Sequence, residues 1–169
     1  MKLIELSKKG KKNKGKYFAK VDDKNFEWLN KFDWCVLICG RTCYAVRRLD
    51  KRNVELMHRL ILGLTDNTIL GDHEDGDGLN NQEYNLRSCS KKQNTRNRRS
   101  QLNSTSKYLG VHRARQWCKG RIYYCWSAQI TINGKRKTIG RFQDEKEAAM
   151  AYDRVAREYY GEFAGLNFK

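Results

Sequence analysis

A chain of 169 residues with 35 Lys and Arg against 19 Asp and Glu carries a formal charge of +16 and calls for a polyanionic partner. Its 39% hydrophobic and 11% aromatic content supports one medium or two small buried cores and excludes a disordered chain. No apolar run approaches the ~20 residues needed to cross a bilayer, which excludes helical membrane spans.

In chain order, residues 1–20 carry Lys8, Lys9, Lys11, Lys12, Lys14 and Lys16 and predict a loop between short strands, either touching phosphate or simply solvated. Met1-Lys2-Leu3-Ile4-Glu5 runs straight into this stretch, so no secretory leader is expected and the protein is placed in the cytoplasm. Asp22-Asp23 can cap a short helix through Phe26, Trp28 and Leu29. Residues 34–48 read as a β-hairpin turning at Gly40-Arg41. Residues 54–62 are apolar, contain His58-Arg59-Leu60 and stop at Gly63.

Residues 69–73 read as a strand running into a loop of Gly, Asp and Asn, where Gly76 and Gly78 allow tight turns. Residues 86–89 form a second strand, and residues 90–97 a helix opened by the capping box Ser90-x-x-Gln93. Residues 101–106 are small and polar and read as a linker. Beyond it, residues 108–113, 123–132 and 137–142 alternate as strands, with Asn133-Gly134 as the second hairpin turn. Asp144 opens a helix whose Ala148, Ala151, Tyr152, Val155, Ala156 and Tyr159 share one face, closed by Gly161. The expected class is α+β in two modules, residues 1–100 and 107–169 joined by 101–106, the second a three-stranded antiparallel sheet packed on one helix.

Six cysteines, at 35, 39, 43, 89, 118 and 125, are expected as reduced thiols. Cys35, Cys39 and Cys43 lack a Cys-x-x-Cys or His-x₃-His partner, so they are read as hairpin packing and no structural zinc is expected.

The chemistry concentrates at Asp72-His73, followed by Asn85 and Asn94. Phosphodiester hydrolysis needs an activated water, charge neutralisation at phosphorus and a stabilised leaving oxyanion; a divalent ion supplies the last two. Asp72 and Asn94 offer oxygen ligands, which suit Mg²⁺ or Mn²⁺ better than zinc. Alternation along a strand turns His73 away from Asp72, toward the attacking water, and a neutral imidazole is a competent base. Asn85 can reach across the loop to orient His73. Asp75-Gly76-Asp77-Gly78 alone resembles a calcium loop, but its twelfth position is Leu86 rather than Glu. Arg87, Lys91, Lys92, Arg96, Arg98 and Arg99 cluster beside this segment and are expected on DNA phosphates.

Asp72, His73, Asn85 and Asn94, with Asn85-Leu86-Arg87 and the upstream Met57-His58-Arg59-Leu60, resemble the HNH nucleases with a ββα-metal core, in particular homing endonucleases whose final histidine is asparagine. The resemblance covers residues 1–100. It implies Asp72 and Asn94 as metal ligands, His73 as general base and Asn85 as the residue that positions it. His58 reads as packing or as a support behind the site. Tyr108-Leu109-Gly110-Val111, Trp126-Ser127-Ala128-Gln129-Ile130, residues 137–142 and Glu147-Ala148-Ala149-Met150-Ala151-Tyr152-Asp153, closed by Leu166-Asn167-Phe168, resemble the plant ethylene-response-factor (APETALA-type) DNA-binding domain. That family lays its sheet in the major groove. The resemblance implies Trp126 and Gln129 on the reading face, with Arg113, Arg115 and Arg141 close by. The plant pattern has Arg at Leu109 and His112 and Trp at Thr138, so its base preference does not transfer. Residues 116–124 are expected to lengthen the first loop.

Together these readings predict a site-specific, Mg²⁺-dependent endonuclease of double-stranded DNA, monomeric on its target and belonging to a mobile element of a phage or bacterium. Two rivals stand: a DNA-binding regulator with an inert nuclease fold, and an RNA-processing nuclease. The latter is disfavoured because A-form RNA hides its major groove.

Overall fold

A computed structural model describes residues 1–7, 12–40, 42–96 and 104–168. It is a mixed α+β structure in which every strand pair is antiparallel. Lys8, Lys9, Lys11, Arg41, Asn97, Arg98, Arg99 and the segment 101–103 lie outside the described residues. The chain divides into two compact units, Met1–Asn94 and Thr95–Lys169.

In the first unit β1 (Lys2–Glu5) pairs with β2 (Phe18–Val21), and α1 (Asp23–Leu29) follows directly. Asp22 stands at the N-cap, but its carboxylate does not cap α1. It accepts instead from the Glu83 amide at 2.7 Å and Gln82 Nε2 at 3.2 Å, which ties the start of the helix to a distant turn. Ile4, Leu6, Ala19, Val21, Leu29, Trp34, Ala45 and Met57 form the core. Trp34 Nε1 donates to the Leu29 carbonyl at 2.8 Å, so the largest buried ring also satisfies the end of α1. The expected hairpin is present as β3 (Cys35–Cys39) and β4 (Thr42–Arg48), with β5 (Val54–Leu56) added and α2 (Met57–Ile61) after it. Cys35 and Cys39 are exposed, which corrects their expected packing role: they lie on the edge strand β3.

The order strand, loop, strand, helix then appears as β6 (Leu70–His73), a 3₁₀ turn (Glu83–Asn85), β7 (Leu86–Cys89) and α3 (Lys91–Asn94). The capping box forms, with Ser90 N and Oγ donating to Gln93 Oε1 at 2.9 and 2.8 Å and Gln93 N donating back to Ser90 Oγ at 3.3 Å. The helix is a single turn ending at Asn94, shorter than the expected 90–97.

In the second unit β8 (Val111–Cys118), β9 (Arg121–Ile132) and β10 (Lys135–Phe142) form a sheet in the order β10-β9-β8, against which α4 (Glu145–Tyr160) packs. Asn133 and Gly134 take φ of 51° and 76°, the two positive values that a tight hairpin turn needs. Asp144 caps α4, accepting from Glu147 N at 2.9 Å. Ala148, Ala149, Ala151, Tyr152 and Ala156 are buried, whereas Tyr159 is exposed. Tyr160 takes the inner position instead, its hydroxyl donating to the Thr131 carbonyl.

Two expected features differ. The first strand begins at Val111, because Asn167 Oδ1 and Nδ2 hold the amide and carbonyl of Leu109 at 2.6 and 3.1 Å. Residues 116–124 do not enlarge a loop; both strands extend through Cys118↔Arg121 and turn at Lys119-Gly120.

Gly110, at φ 74°, sits where an added Cβ would overlap the Tyr152 ring and stand 2.8 Å from the Gln129 carbonyl oxygen. Gly110→Ala is therefore expected to destabilise the second unit by about 3 kcal/mol or more. A denaturant midpoint equal to that of the parent chain would contradict this packing.

Candidate active site and sheet surface

β6 and β7 pair with Asp72 opposite Arg87 and His73 opposite Leu86. Asp72 is buried, and its Oδ2 accepts from Arg87 Nε at 2.9 Å and Nη2 at 2.8 Å. Arg87 was expected on DNA phosphate; it is mostly covered and neutralises Asp72 instead. Cross-strand pairing sets this, because the turn length places the guanidinium directly opposite the carboxylate.

His73, 4% exposed, points to the other side of the strand, as alternation requires. Its Nε2 lies 3.4 Å from Asn81 Oδ1. Burial pushes the imidazole below its ordinary value, against the opposing pull of Asn81 and of the Asp75, Asp72 and Asp77 carboxylates. The ring is therefore neutral at pH 7 and can accept a proton.

Asn85 holds the loop. Its Oδ1 accepts from the Asp75 amide at 3.0 Å, and its Nδ2 donates to Asp75 Oδ1 at 3.0 Å and to the Asn80 carbonyl at 2.8 Å. Burial would raise Asp75, but hydrogen bonds from Asn80, the Asp77 amide and Asn85 outweigh it and hold the carboxyl below its usual value. Asn81, rather than the expected Asn85, is the amide that lies against His73, and sequence reasoning did not single it out. Asn81 is fully buried, and its amide donates to the Lys20 carbonyl at 2.8 Å. No local pattern marks Asn81, since its role depends on β2 lying alongside the loop.

Behind His73 stands His58 on α2, the ring centroids 4.7 Å apart and the planes at 75°. Tyr44 lies about equally far from both imidazoles, at 6.0 and 5.9 Å. His58 is 4% exposed, and its Nδ1 has no hydrogen-bond partner among the described residues. Burial, then the neighbouring His73 and Arg59, lower it to about 3. Gly71 makes this fit possible, because a Cβ there would overlap the His58 ring. His58, Gly71, Tyr44 and Asn94 line a cleft of about 250 Å³.

Asn94, on α3, also approaches Cys89 at the end of β7. Burial and then the Asp72 carboxylate raise the Cys89 thiol, while the backbone N–H of Asn94 donates toward its sulfur and lowers it. The Asp72 charge and the Asn94 main chain thus both act on Cys89. Among the described residues no three His, Cys, Asp or Glu side chains gather into a metal-holding group. One carboxylate and one carboxamide are a sparse oxygen set. That chemistry fits an ion such as Mg²⁺, which keeps several waters and takes further ligands from phosphate.

Of the other basic residues, Lys91 and Lys92 are exposed on α3. Arg96 belongs to the second unit, its guanidinium 4.6 Å from the Tyr160 ring centroid and its carbonyl accepting from the Gly165 amide at 3.1 Å.

On the sheet, Trp126, Ala128, Ile130 and Ile132 alternate toward α4 and its core. Trp126 is therefore a core residue and leaves the expected reading face. Gln129, three positions on, necessarily faces the opposite way. It donates to Thr138 Oγ1 at 3.3 Å, and Arg141 pairs with Ser127 on that same outer side. Arg113 pairs with Trp126 and Arg115 with Tyr124, so both lie on the helix side of the hairpin. The outer face also carries Thr131 and Arg136, a cross-strand pair that sequence reasoning missed and that strand parity identifies.

No protein-family profile matches the chain, and no solved structure matches it. The chain is similar to an uncharacterized HNH endonuclease of Acanthamoeba polyphaga mimivirus, 29% identical over 155 residues that cover 89% of this chain and 74% of that protein. It is also similar to dehydration-responsive element-binding protein 2D of Arabidopsis thaliana, 36% identical over 92 residues, and to protein 2E of that name in Oryza sativa subsp. japonica, 38% identical over 88 residues. These plant matches cover 53% and 51% of this chain but only 41% and 26% of the relatives. Both expected resemblances thus find relatives, at low identity. No helix among the described residues is long and apolar enough to cross a membrane.

Proposed function

We propose that this chain is a site-specific endonuclease of double-stranded DNA, requiring Mg²⁺ or Mn²⁺ and serving as the homing enzyme of a mobile element in a phage or bacterial host cell. The observation that carries the reading is the buried, uncharged His73 beside Asp72 on a strand–strand–helix unit whose helix supplies Asn94. Similarity to an HNH endonuclease supports it, and similarity to plant element-binding proteins supports recognition of duplex DNA by the second unit.

In this reading His73 takes the proton of the attacking water, and Asn81 and His58 hold its ring in place. Asn85 acts one step back, by fixing the loop from which Asn81 projects. Asp72 and Asn94 would hold the divalent ion, which would supply Lewis acidity to the phosphate and its leaving oxygen. Lys91 and Lys92, with Arg96, Arg98 and Arg99, grip the backbone, and Gln129, Thr131, Arg136 and Arg141 face the bases. The enzyme acts as a monomer on DNA.

The test is a supercoiled duplex incubated with EDTA-treated protein, with and without Mg²⁺. Nicked or linear product only with metal is expected. The second reading, a DNA-binding regulator with an inert nuclease fold, draws on the Asp72–Arg87 ion pair, which occupies a ligand oxygen. Selective binding with intact DNA under every metal condition would favour it.

A further inference from the structure

β9 pairs with β10 only between Trp126 and Ile132, yet its pairing with β8 runs on to Cys118↔Arg121. Residues 115–124 therefore form a two-stranded ribbon beyond the three-stranded sheet, and all of them are exposed. Trp117 is 71% exposed and faces Ile122 across the ribbon at 52%; Tyr123 and Tyr124 are exposed by half or more. Arg115, Lys119 and Arg121 alternate with these rings, and the Arg113 guanidinium sits 4.5 Å from the Tyr124 ring centroid.

A ribbon with no third strand gains little from its own pairing, so exposed aromatics on it signal a partner. Charge identifies the partner's chemistry. From residue 84 to residue 143 the sequence holds no Asp or Glu. A second copy would bring the same cations against these with no carboxylate in either ribbon to pair them. A polyanion with flat stacking faces satisfies both features.

We propose that the 115–124 ribbon is a second DNA-contacting element, distinct from the outer face of the sheet. It seats in a groove of the duplex flanking the sheet's footprint, with Trp117 and Ile122 wedged against a base step and Arg115, Lys119 and Arg121 on phosphates. This rests on the reading of the chain as a duplex-binding protein.

The test uses the full chain in three forms: unaltered, Trp117→Ala, and a form whose residues 116–123 are replaced by Asn-Gly. The replaced residues lie outside both cores, so folding is retained and circular dichroism checks it. Binding to a fluorescent duplex in EDTA, hydroxyl-radical footprints, and emission from 2-aminopurine placed at successive steps are measured. Trp117→Ala is expected to weaken binding about tenfold, a size typical of losing one stacked ring. The shortened form should lose protection on one flank of the footprint, and the unaltered chain alone should raise 2-aminopurine emission there. Wild-type affinity and a full footprint in both variants would overturn the inference. A dimer that dissociates in the variants while DNA binding stays constant would overturn it in favour of a second copy. An unaltered chain that binds no duplex would end the parent reading as well.

Discussion

His73→Ala is expected to reduce cleavage by about a hundredfold or more while duplex affinity in EDTA stays within about twofold of the parent. The imidazole is buried, neutral at pH 7 and in contact with Asn81 and His58, so on the proposed mechanism its removal takes away the base without removing a phosphate contact. His73→Gln keeps a polar side chain facing Asn81 but cannot accept a proton at this pH, and is expected to match the alanine variant. Undiminished turnover in either would take His73 out of the chemistry. Asn81→Ala is milder: the base remains, less well aimed, and kcat should fall more than affinity.

The second large effect is loss of stability in acid. His58 is buried and lowered to about 3, while an unfolded chain protonates it near 6.5. Below 6.5 the unfolded state binds the extra proton, so unfolding becomes easier as pH falls, until the folded ring protonates near 3. Over that window the native state loses up to about 5 kcal/mol, at about 1.4 kcal/mol per pH unit. His73, lowered in the same direction, adds to the loss. Asp75 is also lowered, but here because its charged form is favoured: its stabilising contribution is present above its ordinary value of 3.8 and disappears only below it. Urea midpoints for the parent chain should fall steeply between pH 6.5 and 4. They should fall less in His58→Phe, which retains a buried ring without a titrating nitrogen. A flat profile in the parent would show that His58 is reached by water.

Local signals in the sequence carried much of this architecture. Asn133-Gly134, the Ser90–Gln93 box and the Asp144 cap each act over a few residues, and each appears where residue chemistry puts it. Strand parity was equally available. Trp126 and Gln129 are three positions apart and cannot share a face of a regular strand, so the resemblance misled where the periodicity of two did not. Register was not legible. Arg87 lies opposite Asp72 because the 3₁₀ turn at Glu83–Asn85 fixes where β7 starts, and no residue near Arg87 announces that. Asn81 was hidden for a related reason: its partner is eight positions away, and the strand that clamps its backbone lies sixty residues upstream. The extension of β8 and β9 through residues 116–124 was read as a loop because its aromatic and basic residues lack a hydrophobic alternation that an inner face would impose.

Asp22, reaching from the mouth of α1 to the amide of Glu83, makes the opening strands of the chain part of the scaffold under the candidate site. A fragment trimmed to the bare hairpin and its one-turn helix would lack the anchor that sets the height of the turn before β7, and with it the registry of Arg87. Transplanting the chemistry to another protein would therefore demand the whole of Met1–Asn94. The smallest piece that carries this anchor is the full unit and not the motif.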